Sequence, residues 1–114
     1  MSATKITSSP ITITDATFES QVLQSTVPVL LDFWASWCVP CNLMKRSVEK
    51  AAATLEGEAL VGLVNVDEMP ELVSRFDVQA TPTFILVKNG QVLVRFSGMA
   101  TAGSLVSRVR SSTM

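Results

Sequence analysis

One segment, Val29-Leu30-Leu31-Asp32-Phe33-Trp34-Ala35, constrains what this chain can fold into more than any other. It is apolar at every position but one, so it does not read as a strand with one wet face. It reads as a central strand covered on both sides, as a parallel sheet with flanking helices requires. The one carboxylate inside it, Asp32, is costly to bury unless it is paired or neutral. Directly after the run comes Ser36-Trp37-Cys38-Val39-Pro40-Cys41, which holds both cysteines of the chain.

The pattern around this strand alternates. Ile11-Thr12-Ile13-Thr14 has the period of a short strand, and Asp15 is expected to cap a helix with Phe18, Val22 and Leu23 on one face. From Cys41 onward Met44, Val48, Ala51, Ala52 and Leu55 recur at steps of three and four, with Lys45, Arg46, Glu49 and Lys50 opposite, and Gly57 ends this helix. Leu60–Val66 supplies the next strand. Asp67 and Pro70 mark the start of a short helix carrying Leu72, Val73 and Phe76. This βαβα order predicts parallel pairing with a right-handed crossover.

After Thr81-Pro82 the pattern changes to two strands, Thr83–Val87 and Gln91–Phe96, joined through Asn89-Gly90 as an antiparallel hairpin. A last helix, about Thr101–Arg110, turns Leu105, Val106 and Val109 inward. The fold class is therefore α/β, a central mixed sheet of about five strands flanked by four helices. Residues 11–114 are expected to form the one domain, preceded by a flexible Ser/Thr-rich extension, residues 1–10.

Composition excludes several classes of function. The 114 residues are 47% apolar, enough for one compact core, and 9 basic residues balance 10 acidic ones. No strong field points to nucleic acid or anionic lipid. No apolar run reaches membrane-spanning length and the first ten residues have no apolar signal core, so the expected setting is cytoplasmic, or an organellar matrix or stroma after loss of a presequence. Histidine is absent, which removes the commonest metal ligand and the usual general base.

The chemistry must then rest on cysteine and carboxylate. At a helix N-terminus, unpaired N–H groups and the macrodipole favour the thiolate, so Cys38 is the expected nucleophile. Cys41, one turn later and expected to lie further inside, is placed to resolve a mixed disulfide by attacking the sulfur of Cys38. Pro40 sits in the first turn, where its missing N–H has no partner to lose and its fixed φ holds the turn. A static disulfide or half a zinc site is the bland reading of the pair, but zinc would need two more ligands from a chain with no other cysteine and no histidine. Asp32, six positions before Cys38, is the candidate acceptor for the proton of Cys41, its pKa expected to be raised by burial. The bland reading of Asp32 is a strand residue facing a solvent-filled gap.

With these residues in view the chain resembles the thioredoxin family. The likeness runs from about Ile11 to the end and covers Asp32-Phe33-Trp34-Ala35-Ser36-Trp37-Cys38-Val39-Pro40-Cys41, Asn65-Val66-Asp67, Thr81-Pro82-Thr83, Lys88-Asn89-Gly90 and Phe96-Ser97-Gly98, in order and at family spacing. It implies that Pro82 is a cis-proline facing the disulfide, Asp32 the buried acid, Cys38 the attacking thiol and Cys41 the resolving thiol. It also implies a substrate surface formed by Trp37, Val39, Thr81, Pro82, Ser97, Gly98 and Met99 around the exposed sulfur. Trp34 is expected in the core and Trp37 at the surface. Gly90 is explained by the turn, and Gly98 by either a close backbone approach or a loop requirement.

Several positions depart from the family pattern. Val39 stands where glycine is usual, Leu63 where a lysine commonly neighbours the buried acid, and Asn42 where a basic residue commonly follows the second cysteine. Leu63 is expected to leave Asp32 harder to ionise. Arg46 replaces the family's kinking proline, which predicts a straighter helix.

The expected function is that of a thiol-disulfide oxidoreductase that reduces protein disulfides, acting as a monomer. It binds no cofactor or metal beyond its own redox-active Cys38–Cys41 disulfide and is recycled by a separate thioredoxin reductase. A related alternative is an extracytoplasmic thiol reductase of the cytochrome-maturation type, against which stand the uninserted interval from Cys41 to Pro82 and the lack of an anchor. The other alternative, a non-enzymatic binding subunit with the same fold, is disfavoured because both cysteines are intact.

Overall fold

The computed structural model describes residues 8–114, which build five strands into one mixed sheet. These are β1 (Ile11–Thr12), β2 (Val29–Trp34), β3 (Leu60–Asn65), β4 (Thr83–Lys88) and β5 (Gln91–Ser97), in the spatial order β1-β3-β2-β4-β5. The apolar run is the central strand, parallel to β3 on one side and antiparallel to β4 on the other. Helical segments α1 (Val39–Leu43), α2 (Lys45–Thr54), α3 (Pro70–Arg75) and α4 (Ala102–Ser112), with a five-residue π-type turn at Glu19–Leu23, complete the layers. No helix among the described residues is long and apolar enough to cross a membrane.

The two-residue period of a strand divides the core in two. Leu30, Phe84 and Leu86 face one side and pack with Met44, Val48 and Leu55 and with Leu105 and Val109 of α4. Val29, Leu31, Phe33, Ile85 and Val87 face the other and pack with Phe18, Val22 and Leu72. Each fully buried side chain of this size contributes about 1.5–3 kcal/mol on leaving water. Asp32 has the parity of Leu30, so it points toward the α1 and α2 side, into the layer that also carries Cys41.

Several local expectations hold for identifiable reasons. Asn89 and Gly90 both have positive φ, 52° and 77°, as a two-residue hairpin of type I′ demands. Thr101 caps α4 by accepting the Ser104 N–H at 3.0 Å, and Leu105, Val106 and Val109 are buried. Arg110 holds Glu58 through two hydrogen bonds of 3.0 and 2.7 Å, tying α4 to the turn after α2.

Others need correcting. Asp15 does not cap a helix. The helical turn begins only at Glu19, beyond its reach, and the preceding bend is closed by Thr14, whose Oγ1 accepts the Thr17 N–H at 3.1 Å. Asp15 instead donates its backbone N–H to Met69 Sδ at 3.2 Å. The active-site helix is not continuous either. Met44, at φ −91° and ψ −2°, separates α1 from α2, its N–H shared between the carbonyls of Pro40 at 3.1 Å and Cys41 at 3.2 Å. Such 3₁₀-like tightening interrupts the ladder without a proline, and the buried Met44 side chain fixes the junction to the core. The expected four helices thereby become five helical segments. Of the expected extension, residues 1–7 lie outside the described residues, and Ser8, Ser9 and Pro10 line a cavity described below.

Candidate active site

The site forms where β2 ends. After Trp34 the chain turns, the Cys38 N–H bonding the Ala35 carbonyl at 3.1 Å, and Cys38 takes the extended conformation of an N-cap at φ −85° and ψ 110°. Its Sγ accepts the Cys41 N–H at 3.2 Å, so one of the orphan donors of α1 is spent on the sulfur itself. Val39 and Pro40 are the first residues of the helix, where a proline loses no hydrogen bond. One turn on, Cys41 closes a disulfide to Cys38 across a Cα–Cα distance of 5.3 Å.

Both cysteines are buried in the disulfide form, Cys38 included, contrary to the exposed sulfur expected there. Cys38 is 3% exposed and Cys41 7%, so in the disulfide form Cys41 is not the deeper residue. Cys41 also lines a cavity of about 570 Å³, which Cys38 does not. Asp32 lines the same cavity, together with Trp34, Lys45, Glu49 and Leu63.

Asp32 is 6% exposed, and its Oδ1 has no hydrogen-bond partner among the described residues. Burial pushes its pKa up to about 7. By strand register its neighbours in the sheet are apolar, Leu63 of β3 directly opposite on one side and Phe84 of β4 on the other. Trp34 is only partly buried: it packs against Ala35, Cys38 and Cys41 and also borders this cavity.

The same end of the sheet gathers the remaining candidates. Thr83 pairs with Phe33 on one side and Ser97 on the other, which brings the Thr81-Pro82 loop and Ser97-Gly98-Met99 beside the end of β2. The Thr81-Pro82 peptide bond is cis, and the Pro82 carbonyl accepts the Gly98 N–H at 3.0 Å. Thr83 Oγ1 donates to the Ala80 carbonyl at 2.6 Å and lies 2.9 Å from Ser97 Oγ. Of the two explanations for Gly98 the loop requirement holds: φ is +93°, while a Cβ there would meet nothing within 4 Å.

Around the disulfide the surface is apolar. Trp37, Val39 and Met99 are each 60% or more exposed, and the Trp37 indole N–H donates to Asp67 Oδ2 at 2.8 Å. Sequence reasoning missed three neighbours. Leu43, one helical turn from Val39 and equally exposed, was legible from that spacing. The role of Asp67 was not, for it is thirty positions from Trp37. Asn42, noted only for the charge it lacks, donates its side-chain amide to the carbonyls of Ser36 at 3.0 Å and Cys38 at 3.1 Å. Among the described residues no three His, Cys, Asp or Glu side chains group to hold a metal ion.

Comparison with known proteins agrees with this geometry. The family model described as Thioredoxin matches residues 9–111. The chain is 37% identical over 100 residues to the thioredoxin of Rickettsia bellii, covering 88% of this chain and 95% of that protein. It is 44% identical over 79 residues to thioredoxin 1 of a Nostoc species, covering 69% and 74%, and 42% identical over 81 residues to the thioredoxin of Haemophilus influenzae, covering 71% and 76%. A disulfide-forming cysteine pair at the start of a helix, on a sheet of this order, with the family model matched over residues 9–111 and a relative matched over 95% of its length, places the chain in the thioredoxin family as a thiol-disulfide oxidoreductase.

Proposed function

We propose that the protein works as a reductant of protein disulfides, with Cys38 as the attacking and Cys41 as the resolving thiol. The Cys38 thiolate attacks one sulfur of a substrate disulfide, releasing the other as a thiolate and forming a mixed disulfide. Cys41 then gives up its proton and attacks Cys38 Sγ, expelling the second substrate thiolate and closing the Cys38–Cys41 bridge. Two electrons pass to the substrate, whose two thiolates take their protons from solvent, while the Cys41 proton leaves through Asp32. The observation that carries this reading is the shared cavity: Asp32, with a pKa of about 7, and Cys41 border the same space, so the carboxylate accepts the Cys41 proton across it, directly or through one water.

Pro40 holds the turn that keeps the sulfurs within reach. Pro82, lacking an N–H, leaves a substrate strand to pair with the backbone of Thr81. Trp37, Val39, Thr81, Ser97, Gly98 and Met99 form the docking surface, supported by the exposure of the apolar members. Residues 11–114 carry all of these parts. In the full cycle a separate thioredoxin reductase returns the disulfide to the dithiol, and the protein acts as a cytoplasmic monomer with no bound cofactor.

Insulin reduction with dithiothreitol tests the assignment. The wild type should accelerate precipitation of the freed chains, Cys38→Ser should be inactive, and Cys41→Ser should accumulate a mixed disulfide on Cys38. Trapping on Cys41 in the Cys38→Ser variant instead would reverse the roles. Equilibration against glutathione mixtures tests direction, a strongly oxidising midpoint arguing for an oxidant.

A further inference from the structure

The Asn42 side chain ties the turn before Cys38 to the helix after it. Its side-chain nitrogen donates both to the Ser36 carbonyl (3.0 Å) and to the Cys38 carbonyl (3.1 Å). These two carbonyls flank Trp37, whose indole is held at its far end by Asp67. The largest exposed apolar residue beside the disulfide is thus pinned at both its backbone and its ring.

The two clamped carbonyls differ in their other partners. The Cys38 carbonyl also accepts the backbone N–H of Asn42 at 3.2 Å, and the Cys38 N–H is held by Ala35 at 3.1 Å. The cysteine therefore stays in place whatever the Asn42 side chain does. The hold on the Ser36 carbonyl comes from that side chain, so losing the amide releases the backbone before Trp37, while its ring stays on Asp67 and the backbone bonds of Cys38 remain. We propose that Asn42 is a positioning residue for docking: its amide fork holds the Trp37 turn in the shape that receives a polypeptide substrate, so the surface is organised before the substrate arrives. This rests on the reading of Trp37 as part of the docking surface.

The test compares two oxidants mixed with the reduced protein in stopped flow, insulin and the small aromatic disulfide 5,5′-dithiobis(2-nitrobenzoate). For Asn42→Ala the concentration of insulin giving half-maximal rate should rise roughly fivefold, the loss expected of one hydrogen bond, with the limiting rate within about twofold of wild type. The rate with the small disulfide should be unchanged, which also reports an intact fold and dithiol. Asn42→Gln, which keeps both N–H donors, should recover at least half of the loss. Wild-type insulin kinetics in Asn42→Ala, an equal loss on both oxidants, or no recovery by Asn42→Gln would each overturn the proposal. Trp37→Ala separates it from the reading beneath it. If Trp37→Ala leaves insulin kinetics unchanged, the docking role of Trp37 fails; if Trp37→Ala is impaired and Asn42→Ala is not, only the clamp fails.

Discussion

Asp32 on β2 stands directly across from Leu63 on β3, and both border the cavity that reaches Cys41. A buried carboxylate faces a side chain that can neither donate a hydrogen bond nor supply charge. Replacing that neighbour with a cation, Leu63→Lys, should lower the Asp32 pKa from about 7 by roughly one unit or more. A carboxyl ¹³C titration of wild type and variant reads this directly. An unchanged midpoint would mean that the lysine turns away from the cavity.

Stability should depend on pH through the same group. Because the native state raises the Asp32 pKa from 3.8 to about 7, it holds the proton where the unfolded chain has lost it. The contribution is therefore fully present below 3.8 and is lost as pH rises through about 7. Asp32→Asn removes this dependence. Urea denaturation should find the variant more stable than wild type above pH 8, by up to about 4 kcal/mol, with the gain shrinking toward pH 4. The variant should also resolve mixed disulfides more slowly.

Releasing the indole of Trp37 should weaken docking without touching the dithiol. Asp67→Ala removes the acceptor 2.8 Å from Trp37 Nε1. The half-saturating insulin concentration is expected to rise about two- to fivefold, while Asp67→Asn, which keeps an acceptor, loses less. Equal loss on a small disulfide would place the effect at the sulfur instead.

Gly62 tests the packing of β1. A Cβ there would lie 2.6 Å from Ile13 Cγ1, inside van der Waals contact with a fully buried side chain. Gly62→Ala should cost about 1–3 kcal/mol by forcing Ile13 off its seat. Thermal unfolding should show the loss, and insulin reduction at 25 °C should be near that of wild type.

Much of the architecture was legible because it follows from short-range rules. The run Val29–Ala35, apolar but for Asp32, required cover on both faces, and the positive φ of Asn89 and Gly90 is what their residue types favour in a hairpin. The Cys38–Cys41 pair could be read from its spacing, since one helical turn is also the reach of a disulfide. The active-site helix was harder. Its break at Met44 arises from a carbonyl competition between Pro40 and Cys41, which no residue type announces. Asp15 looked like a cap because it precedes an apolar pattern, but the chain delays the turn to Glu19 and leaves it behind.

By itself the sequence determined the strand order along the chain, the apolar faces and the redox pair, because these depend on periodicity and on residues close in the chain. Only the tertiary structure decided the environment of that pair. Leu63 came to face Asp32 through strand register, Asp67 reached Trp37 from another loop, and Cys41 opened onto the cavity of Asp32. Each is a contact between distant segments, set by how the layers pack, and the energies that tune a thiol or a carboxylate act over those few ångströms of space, whatever the separation along the chain.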